Sequence, residues 1–393
     1  MSVKIAIHFS DFFQVSPEDL EGYGAFNISL VNDLPLFIDP FLLFHSSKPE
    51  YQALHEEIIT YLRFLRKAAE PGINSGLLTS WFSFPEVKQT WLGYSGIGNQ
   101  GRGLGPSFAH ALRNNLHTVF TDFGNEKITK GSHLEKLCLI KSGVGRDNVS
   151  DFTTNLIKPF LLEYTQAFAL QHIPSHLRQT FWVEKVRFNY RTQSWGRDRY
   201  NLPSFENEFV LLTPKDILTR DDTWINRSDL LNPSIFNQIA LALPNEVLRA
   251  QLNNYFARVL AIKPTKQEQQ EAIAGFIDRH PEFIDYFIRH KEDQGAQAVV
   301  VSQGKVNTTE IQFVTQLREL ATVLHHFTAF YKIGDTTYEE THQRVAYLKD
   351  VIENKGGHRL FYINGEPIRR ESDLQIAFRL VWFGTPSDVS QEV

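Results

Sequence analysis

Two acidic side chains near the carboxyl end of the chain have a type and spacing that could support metal-dependent catalysis. Glu371 and Asp373 fall in Glu-Ser-Asp-Leu-Gln, at the start of an apolar-striped segment that runs from Arg370 to about Phe383. Carboxylate oxygens are the ligands that Mg²⁺ prefers, and a metal-bound water is an effective nucleophile. Acids in the first turn of a helix also complement the helix dipole without any metal. Both interpretations fit these two residues.

The elements that must position these acids are a helix, a hairpin and a second helix. Apolar residues recur at helical spacing after Tyr338, and Lys355-Gly356-Gly357 predicts the end of that helix. Asn364-Gly365 predicts a two-residue turn between short strands. Arg369 and Arg370 then precede the second helix, and we expect this basic pair to contact a phosphate backbone.

The order of helix, basic hairpin, Glu-Ser-Asp-Leu-Gln helix and a final Asp388-Val389 resembles the entry into a restriction-endonuclease-like (PD-(D/E)xK) nuclease domain of bacterial proteins, several of them linked to phage defence. The resemblance covers about the last fifth of the chain. It implies that Glu371 is the catalytic, metal-binding acid, with Mg²⁺ as cofactor and DNA as substrate. The Asp and Glu-x-Lys motif of that family is expected after Val393, so we expect the chain as given to be inactive as a nuclease.

The composition is that of an ordinary globular protein. The chain has 393 residues, 42% of them hydrophobic, and a formal net charge of −5, which argues against a surface coated with basic charge. No apolar run predicts a membrane span and no basic-then-apolar leader is visible, so a cytoplasmic location is expected. The single cysteine, Cys138, lies in an apolar run and is expected to be a buried structural residue.

The predicted fold class is a mixed α/β N-terminal domain at residues 1–232, a helical domain at 233–335, and the beginning of an α/β restriction-endonuclease-like domain at 336–393. Leu36 to Pro40 predicts a buried strand that ends in an Asp-Pro turn, and Tyr51 to Ala69 predicts a helix. A short strand is predicted at Ala298 to Ser302 within the helical part.

The most glycine-dense stretch has the spacing of a dinucleotide-binding loop. Gly96, Gly98 and Gly101 fit Gly-x-Gly-x-x-Gly, and Arg102 follows them. Such glycines let a pyrophosphate approach the backbone. No convincing strand precedes the motif, and a tightly turned loop is the competing interpretation.

Two acids at a spacing of four residues form a candidate cation site. Asp147, Asp151 and Asn155 would share one face of a helix and could offer oxygen ligands. Helix capping by Asp147 or Ser150, with Asp151 in the first turn, accounts for the same residues without a metal. The sequence leaves both interpretations open.

A basic stripe is predicted on the stretch from Trp182 to Arg191. If this stretch is one strand, alternation places Trp182 and other apolar residues on one face and Lys185, Arg187 and Arg191 on the other. Beside an exposed Trp195 and Tyr200, such a stripe would suit a phosphate backbone. A solvated outer face that is paired with acids elsewhere is equally compatible.

Together these observations predict the sensor or scaffold part of a bacterial antiphage defence nuclease that acts on DNA. The first alternative is a non-catalytic module that binds nucleic acid, DNA or RNA, or a partner protein. The second is a nucleotide-binding enzyme that uses the loop from Gly96 to Gly105. A partner protein or a homo-oligomer is compatible with each, and no membrane association is expected.

Overall fold

The computed structural model describes residues 6–69, 74–93, 123, 124, 126–140, 146–261, 263–334, 338–363, 365–383 and 385. Helices dominate this part of the chain, and its strands form four small antiparallel sheets. A mixed α/β composition is therefore confirmed, whereas the arrangement in three domains stays a prediction. No described helix combines the length and the apolar character that a membrane span needs.

The helices of the first half are α1 (Phe9–Phe12), α2 (Pro17–Tyr23), α3 (Pro40–His45), α4 (Pro49–Ala68), α5 (Ser75–Phe82), α6 (Lys136–Ile140), α7 (Arg146–Leu156) and α8 (Lys158–His172). The predicted helix from Tyr51 corresponds to α4, which begins at Pro49 and buries its apolar stripe. The chain breaks between α7 and α8 at Ile157, because Pro159 lacks the amide that a continuous helix would need.

The strands are β1 (Leu36–Ile38), β2 (Arg178–Val183), β3 (Phe188–Asn189), β4 (Ser194–Trp195), β5 (Asp198–Phe205), β6 (Glu208–Phe209) and β7 (Leu218–Arg220). β1 pairs with β7, β5 lies between β2 and β6, and β3 pairs with β4. The predicted strand with an Asp-Pro end is confirmed. Asp39 caps α3 by accepting the Phe41 amide at 3.0 Å, and its other oxygen accepts the Trp224 amide at 2.7 Å.

Helices follow in the second half: α9 (Arg227–Leu230), α10 (Pro233–Ala242), α11 (Glu246–Val259), α12 (Lys266–Arg279), α13 (Phe283–Asp293), α14 (Gly295–Glu310) and α15 (Leu317–Phe327). A π-helical segment, Ile311–Gln316, joins α14 to α15. The predicted strand at Ala298 to Ser302 is wrong, because these residues lie inside α14. Ala298, Ser302 and Val306 are all buried, and this spacing of four favours a helix over the β-branched run between them.

The C-terminal elements have the predicted order. They are α16 (Tyr338–Asn354), the hairpin of β8 (Tyr362–Ile363) and β9 (Glu366–Pro367), and α17 (Glu371–Trp382). Gly356 and Gly365 both have a φ of +82°, in the left-handed region where glycine is favoured. Two of the predicted turn positions are thereby confirmed.

Buried apolar side chains form two clusters. The larger one combines residues of the N-terminal half with residues from 306 onward, including Phe313, Leu324, Leu348 and Trp382. The smaller one consists mainly of residues 225–298, together with Phe41 and Leu139. The C-terminal helices therefore share a core with the N-terminal half of the chain.

A buried guanidinium group connects the C-terminal helices with the N-terminal half of the chain. Arg220, at the end of β7, forms an ion pair with the buried carboxylate of Asp373 in α17. Its other guanidinium nitrogen lies 3.3 Å from both the Thr309 hydroxyl and the Gln312 side-chain oxygen. A buried charge is costly unless it is paired and hydrogen-bonded, so Arg220 fixes α14, the π-helical segment and α17 around β7.

We expect the substitution Asp373→Asn to destabilise the protein strongly. Removing one partner of a buried ion pair leaves the other charge uncompensated and costs about 3–5 kcal/mol. Glu371→Gln, two positions earlier on the exposed side of α17, is the control and should change the free energy of unfolding by about 0.5 kcal/mol or less. Urea denaturation measures both, and equal effects would contradict the structural role of Asp373.

Candidate nucleic-acid interface

An exposed tryptophan on β2 is surrounded by arginine side chains. Trp182 is 57% exposed, and the guanidinium carbons of Arg197 and Arg199 lie 4.7 and 5.3 Å from its ring centroid. We call these three residues the Trp182 surface. Cation–π attraction between arginine and the indole holds the group together. It presents an aromatic face and positive charge to solvent.

The register of β2 and β5 produces this arrangement. Trp182 pairs with Arg199 across the ladder, so the two side chains are neighbours on one face. Phe181 and Tyr200 form the next pair and point to the opposite face, where Tyr200 is buried. The sheet therefore has a solvent face and a core face, and its core face anchors the Trp182 surface.

The solvent face continues along the ladder as a row of polar side chains. Arg178 donates to the Asn201 side-chain oxygen at 3.1 Å, and Asn201 donates to the Thr180 hydroxyl at 3.3 Å. Arg178 and Thr180 are an even number of residues from Trp182 on β2, and Asn201 is the partner of Thr180 on β5. These side chains therefore lie on the same face of the sheet as Trp182. The row extends the positive surface by one further guanidinium.

The predicted continuous strand from Trp182 to Arg191 is wrong. β2 ends at Val183, Lys185 has a φ of +51°, and the chain re-enters extended structure only at Phe188. Lys158 fixes the turn by donating to the carbonyl of Glu184 at 2.9 Å. The prediction that Trp195 and Tyr200 are exposed is also wrong, because Tyr200 is buried and Trp195 is half-buried. Trp182, which was predicted on the apolar face, is exposed.

The three cations of the predicted stripe consequently differ in their surroundings. Arg187 forms an exposed ion pair with Glu163. Lys185 is half-buried, and burial lowers the pKa of its ammonium group. Arg191 is exposed at the tip of the β3–β4 hairpin. The stripe therefore does not act as one uniform basic face.

Residues 14–226, more than half of the chain, match a family described as a domain of unknown function (DUF8370). The chain belongs to the DUF8370 family. Residues 337–393 match a second family, also described as a domain of unknown function (DUF8371). No curated protein and no solved structure matches the chain. The Trp182 surface lies in the DUF8370 region, and Glu371 lies in the DUF8371 region.

The acids of the DUF8371 region have opposite environments. Glu371 is exposed, and its carboxylate accepts a hydrogen bond from Gln375 at 3.2 Å. Asp373 is buried against Arg220. Arg370 pairs with Asp221 of the DUF8370 region, and Arg369 lies 3.5 Å from Glu366. Glu371 is thus accessible, while both arginines of the predicted basic pair already have acidic neighbours.

Other predicted site residues lie wholly or partly outside the described part of the chain. Gly96, Gly98, Gly101 and Arg102 are in this group, as is the side chain of Asp147. Within α7, Asn155 donates its amide to the carbonyls of Pro85 and Asp151, at 2.7 and 2.9 Å. Among the described residues, no group of three or more His, Cys, Asp or Glu side chains is arranged to hold a metal ion.

A buried polar cluster was not foreseen from the sequence. His133 Nε2 lies 2.9 Å from a carboxylate oxygen of Glu292, which also accepts the amides of Lys130 and Gly131. Nearby Glu135 is fully buried, and neither of its carboxylate oxygens has a hydrogen-bond partner among the described residues. The local sequence around these acids contains no periodicity or motif that would have indicated such a cluster.

Glu135 and Asp39 form an electrostatically linked pair. Burial, and then the negative charge of Asp39, raise the pKa of Glu135. Burial also raises the pKa of Asp39, but the two backbone amides that Asp39 accepts favour its charged form. We infer that Glu135 carries the proton of the pair. Asp39, His133, Glu135 and Glu292 are all buried, and we interpret this cluster as structural.

We expect Glu135→Gln to stabilise the protein at about pH 8 and to have a smaller effect at about pH 4. The folded-state pKa of Glu135 is raised above its ordinary value of 4.5. The contribution of protonated Glu135 to the free energy of unfolding is therefore complete below pH 4.5 and is lost as the pH rises through the folded-state pKa. The neutral glutamine removes this loss. Urea denaturation at both pH values measures the difference.

The control for this experiment is Glu56→Gln on the exposed side of α4. It should leave the pH dependence of unfolding unchanged. A Glu135→Gln variant that loses stability equally at both pH values would show that Glu135 is needed as a carboxylate.

Proposed function

We propose that this chain binds single-stranded nucleic acid through the Trp182 surface. The observation that supports this is the exposed indole of Trp182, with Arg197 and Arg199 beside it, on a sheet whose other face is buried. Unstacked bases stack on aromatic rings and on guanidinium planes, and the same guanidinium groups bond to phosphate. A duplex hides the base faces that such a surface would contact.

The local charge supports an anionic partner, such as nucleic acid, over an apolar one. Between His176 and Tyr200 the sequence has six lysines and arginines and two acids. Glu184 lies 3.7 Å from Arg197, and Glu163 pairs with Arg187, so a part of this charge is balanced. Arg191 and Arg199 add exposed positive charge around the indole. Phosphates would displace counterions from these side chains.

A second candidate is the metal-dependent nuclease that the C-terminal resemblance implies. In that proposal the protein is the sensing part of a cytoplasmic bacterial defence nuclease that acts on DNA, with Glu371 as the catalytic acid. The exposure of Glu371 in the first turn of α17 favours it. Mg²⁺ needs several oxygen ligands, and Asp373 is committed to Arg220. The described residues thus do not form a metal site.

We expect Trp182→Ala to weaken binding of a single-stranded oligonucleotide by about 1–3 kcal/mol, the usual contribution of one stacked base. The double variant Arg197→Ala, Arg199→Ala should reduce the slope of log affinity against log salt by about 0.7 for each phosphate contact that is lost. Fluorescence anisotropy at several salt concentrations measures both quantities. Retention of wild-type affinity in both variants would contradict the proposal.

Two controls make this measurement specific. Arg258→Ala, an exposed arginine of α11 outside the Trp182 surface, should leave affinity and slope unchanged. The triple variant of Lys185, Arg187 and Arg191 to alanine should reduce the slope by less than three phosphate contacts would. Arg187 is paired with Glu163, and Lys185 is half-buried, so these two contribute less free positive charge.

The two candidate functions differ in what Mg²⁺ should do. We expect a bound strand to stay uncut when Mg²⁺ is added, because the described residues offer Glu371 as a single accessible carboxylate at α17. Gel analysis of labelled DNA and RNA measures this. Cleavage that is abolished by Glu371→Gln but kept in Glu353→Gln, an exposed acid of α16, would favour the nuclease instead.

A further inference from the structure

An aromatic cleft lies beside the β3–β4 hairpin. It has a volume of about 200 Å³ and is lined by the rings of Tyr61, Phe188, Tyr190 and Trp195, with Glu57 and Arg187 among its other lining residues. The rings are packed closely, with centroid distances of 4.9 Å for Tyr61–Phe188, 5.2 Å for Phe188–Trp195 and 5.2 Å for Phe188–Tyr190. The cleft thus combines four aromatic rings with one acidic and one basic group.

Hydrogen bonds hold the rings in place. Tyr61 donates its hydroxyl to the carbonyl of Trp81 at 2.8 Å, and the indole of Trp195 donates to the carbonyl of Ser80 at 3.2 Å. Tyr190, at the rim, is 46% exposed. The floor of the cleft is therefore rigid before any ligand enters, which lowers the entropic cost of binding, while the rim is open to solvent.

The polar groups at the rim set the chemistry of the ligand. Arg187 is a donor, and its charge is balanced by Glu163. Glu57 is an acceptor, and the pKa of its carboxyl group is raised, first by burial. A flat ring that carries both hydrogen-bond donors and acceptors matches this combination. Nucleobases have these properties, and they stack on aromatic side chains.

The position of the cleft in the chain connects it with the Trp182 surface. The segment that supplies Arg187, Phe188, Tyr190 and Trp195 lies directly between Trp182 and Arg197, and it is closed by hydrogen bonds between Val186 and Gly196 and between Gly196 and Arg187. A strand whose phosphates contact Arg197 would therefore run next to this hairpin. We propose that the cleft receives one unstacked nucleobase of a strand bound at the Trp182 surface, an inference that rests on the proposed function.

The test uses two short oligonucleotides that have the same number of phosphates. One is fully abasic, and the other carries a single 2-aminopurine among abasic positions. We expect the single base to raise affinity for the wild-type protein at least about fivefold, and its fluorescence to be quenched by stacking. This gain should be reduced in Tyr190→Ala and, to a smaller extent, in Glu57→Gln. Glu56→Gln, on the same helix but outside the cleft, should keep it.

The outcomes separate this inference from the proposed function. If the protein binds neither oligonucleotide and no other single strand, the proposed function and the inference about the cleft are both overturned. A gain from the base that survives Tyr190→Ala but is lost in Trp182→Ala would overturn the cleft and leave the Trp182 surface as the stacking site. Quenching of the protein's tryptophan fluorescence by tetramethylammonium, without any gain from the base, would show a cation-binding cage and also overturn the inference. Tyr190 is half-exposed, so its truncation should leave the fold intact, which circular dichroism verifies.

Discussion

The buried charge of Arg220 is the constraint on which the arrangement of the molecule depends. A guanidinium inside a core must be paired and hydrogen-bonded from several sides, and Arg220 obtains its partners from Asp373, Thr309 and Gln312. Asp373 belongs to the DUF8371 region and Arg220 to the DUF8370 region. The two family matches are therefore parts of one packed structure, joined by the buried ion pair of Arg220 and Asp373.

Other contacts reinforce the same junction. The ring of His8 donates to the carbonyl of Phe313 at 2.8 Å, and Arg379 of α17 donates to the side-chain oxygen of Asn32 at 3.1 Å. Together with the shared apolar core, these contacts make the C-terminal helices a support for the N-terminal half. Pairing with Arg220 explains why Asp373 is acidic without any need for metal chemistry.

The sequence predicted the parts of the fold that local rules determine. The extent of α4 and the order of the C-terminal elements follow from apolar periodicity and glycine turns. The strand predicted at Ala298 to Ser302 failed because burial at a spacing of four overrode β-branched propensity. The pairing of β1 with β7 joins residues about 180 positions apart, and no local pattern specifies such a partner.

The candidate site was predictable in composition but not in geometry. The excess of basic residues between Arg178 and Arg199 is visible in the sequence. The predicted alternating strand, however, runs through Lys185, where the backbone has a positive φ. Before that turn, Trp182 lies on the solvent face of β2 and not on the apolar face that alternation predicted. The alternation of Arg199, Tyr200, Asn201 and Leu202 in β5 was the clearer signal, because it separates exposed from buried positions along a regular strand.

The two acids at the start of α17 show why residue type alone does not define a site. Successive residues of a helix are turned by about 100°, so positions two apart point in nearly opposite directions. Glu371 therefore faces solvent when Asp373 faces Arg220. The resemblance to a nuclease gives a role to Glu371 alone, whereas the helix dipole would favour both carboxylates, and the structure gives each a separate environment. In the nuclease proposal the chemistry depends on Glu371, whereas the packing of α17 depends on Asp373, and the two roles can be separated by substituting one residue at a time.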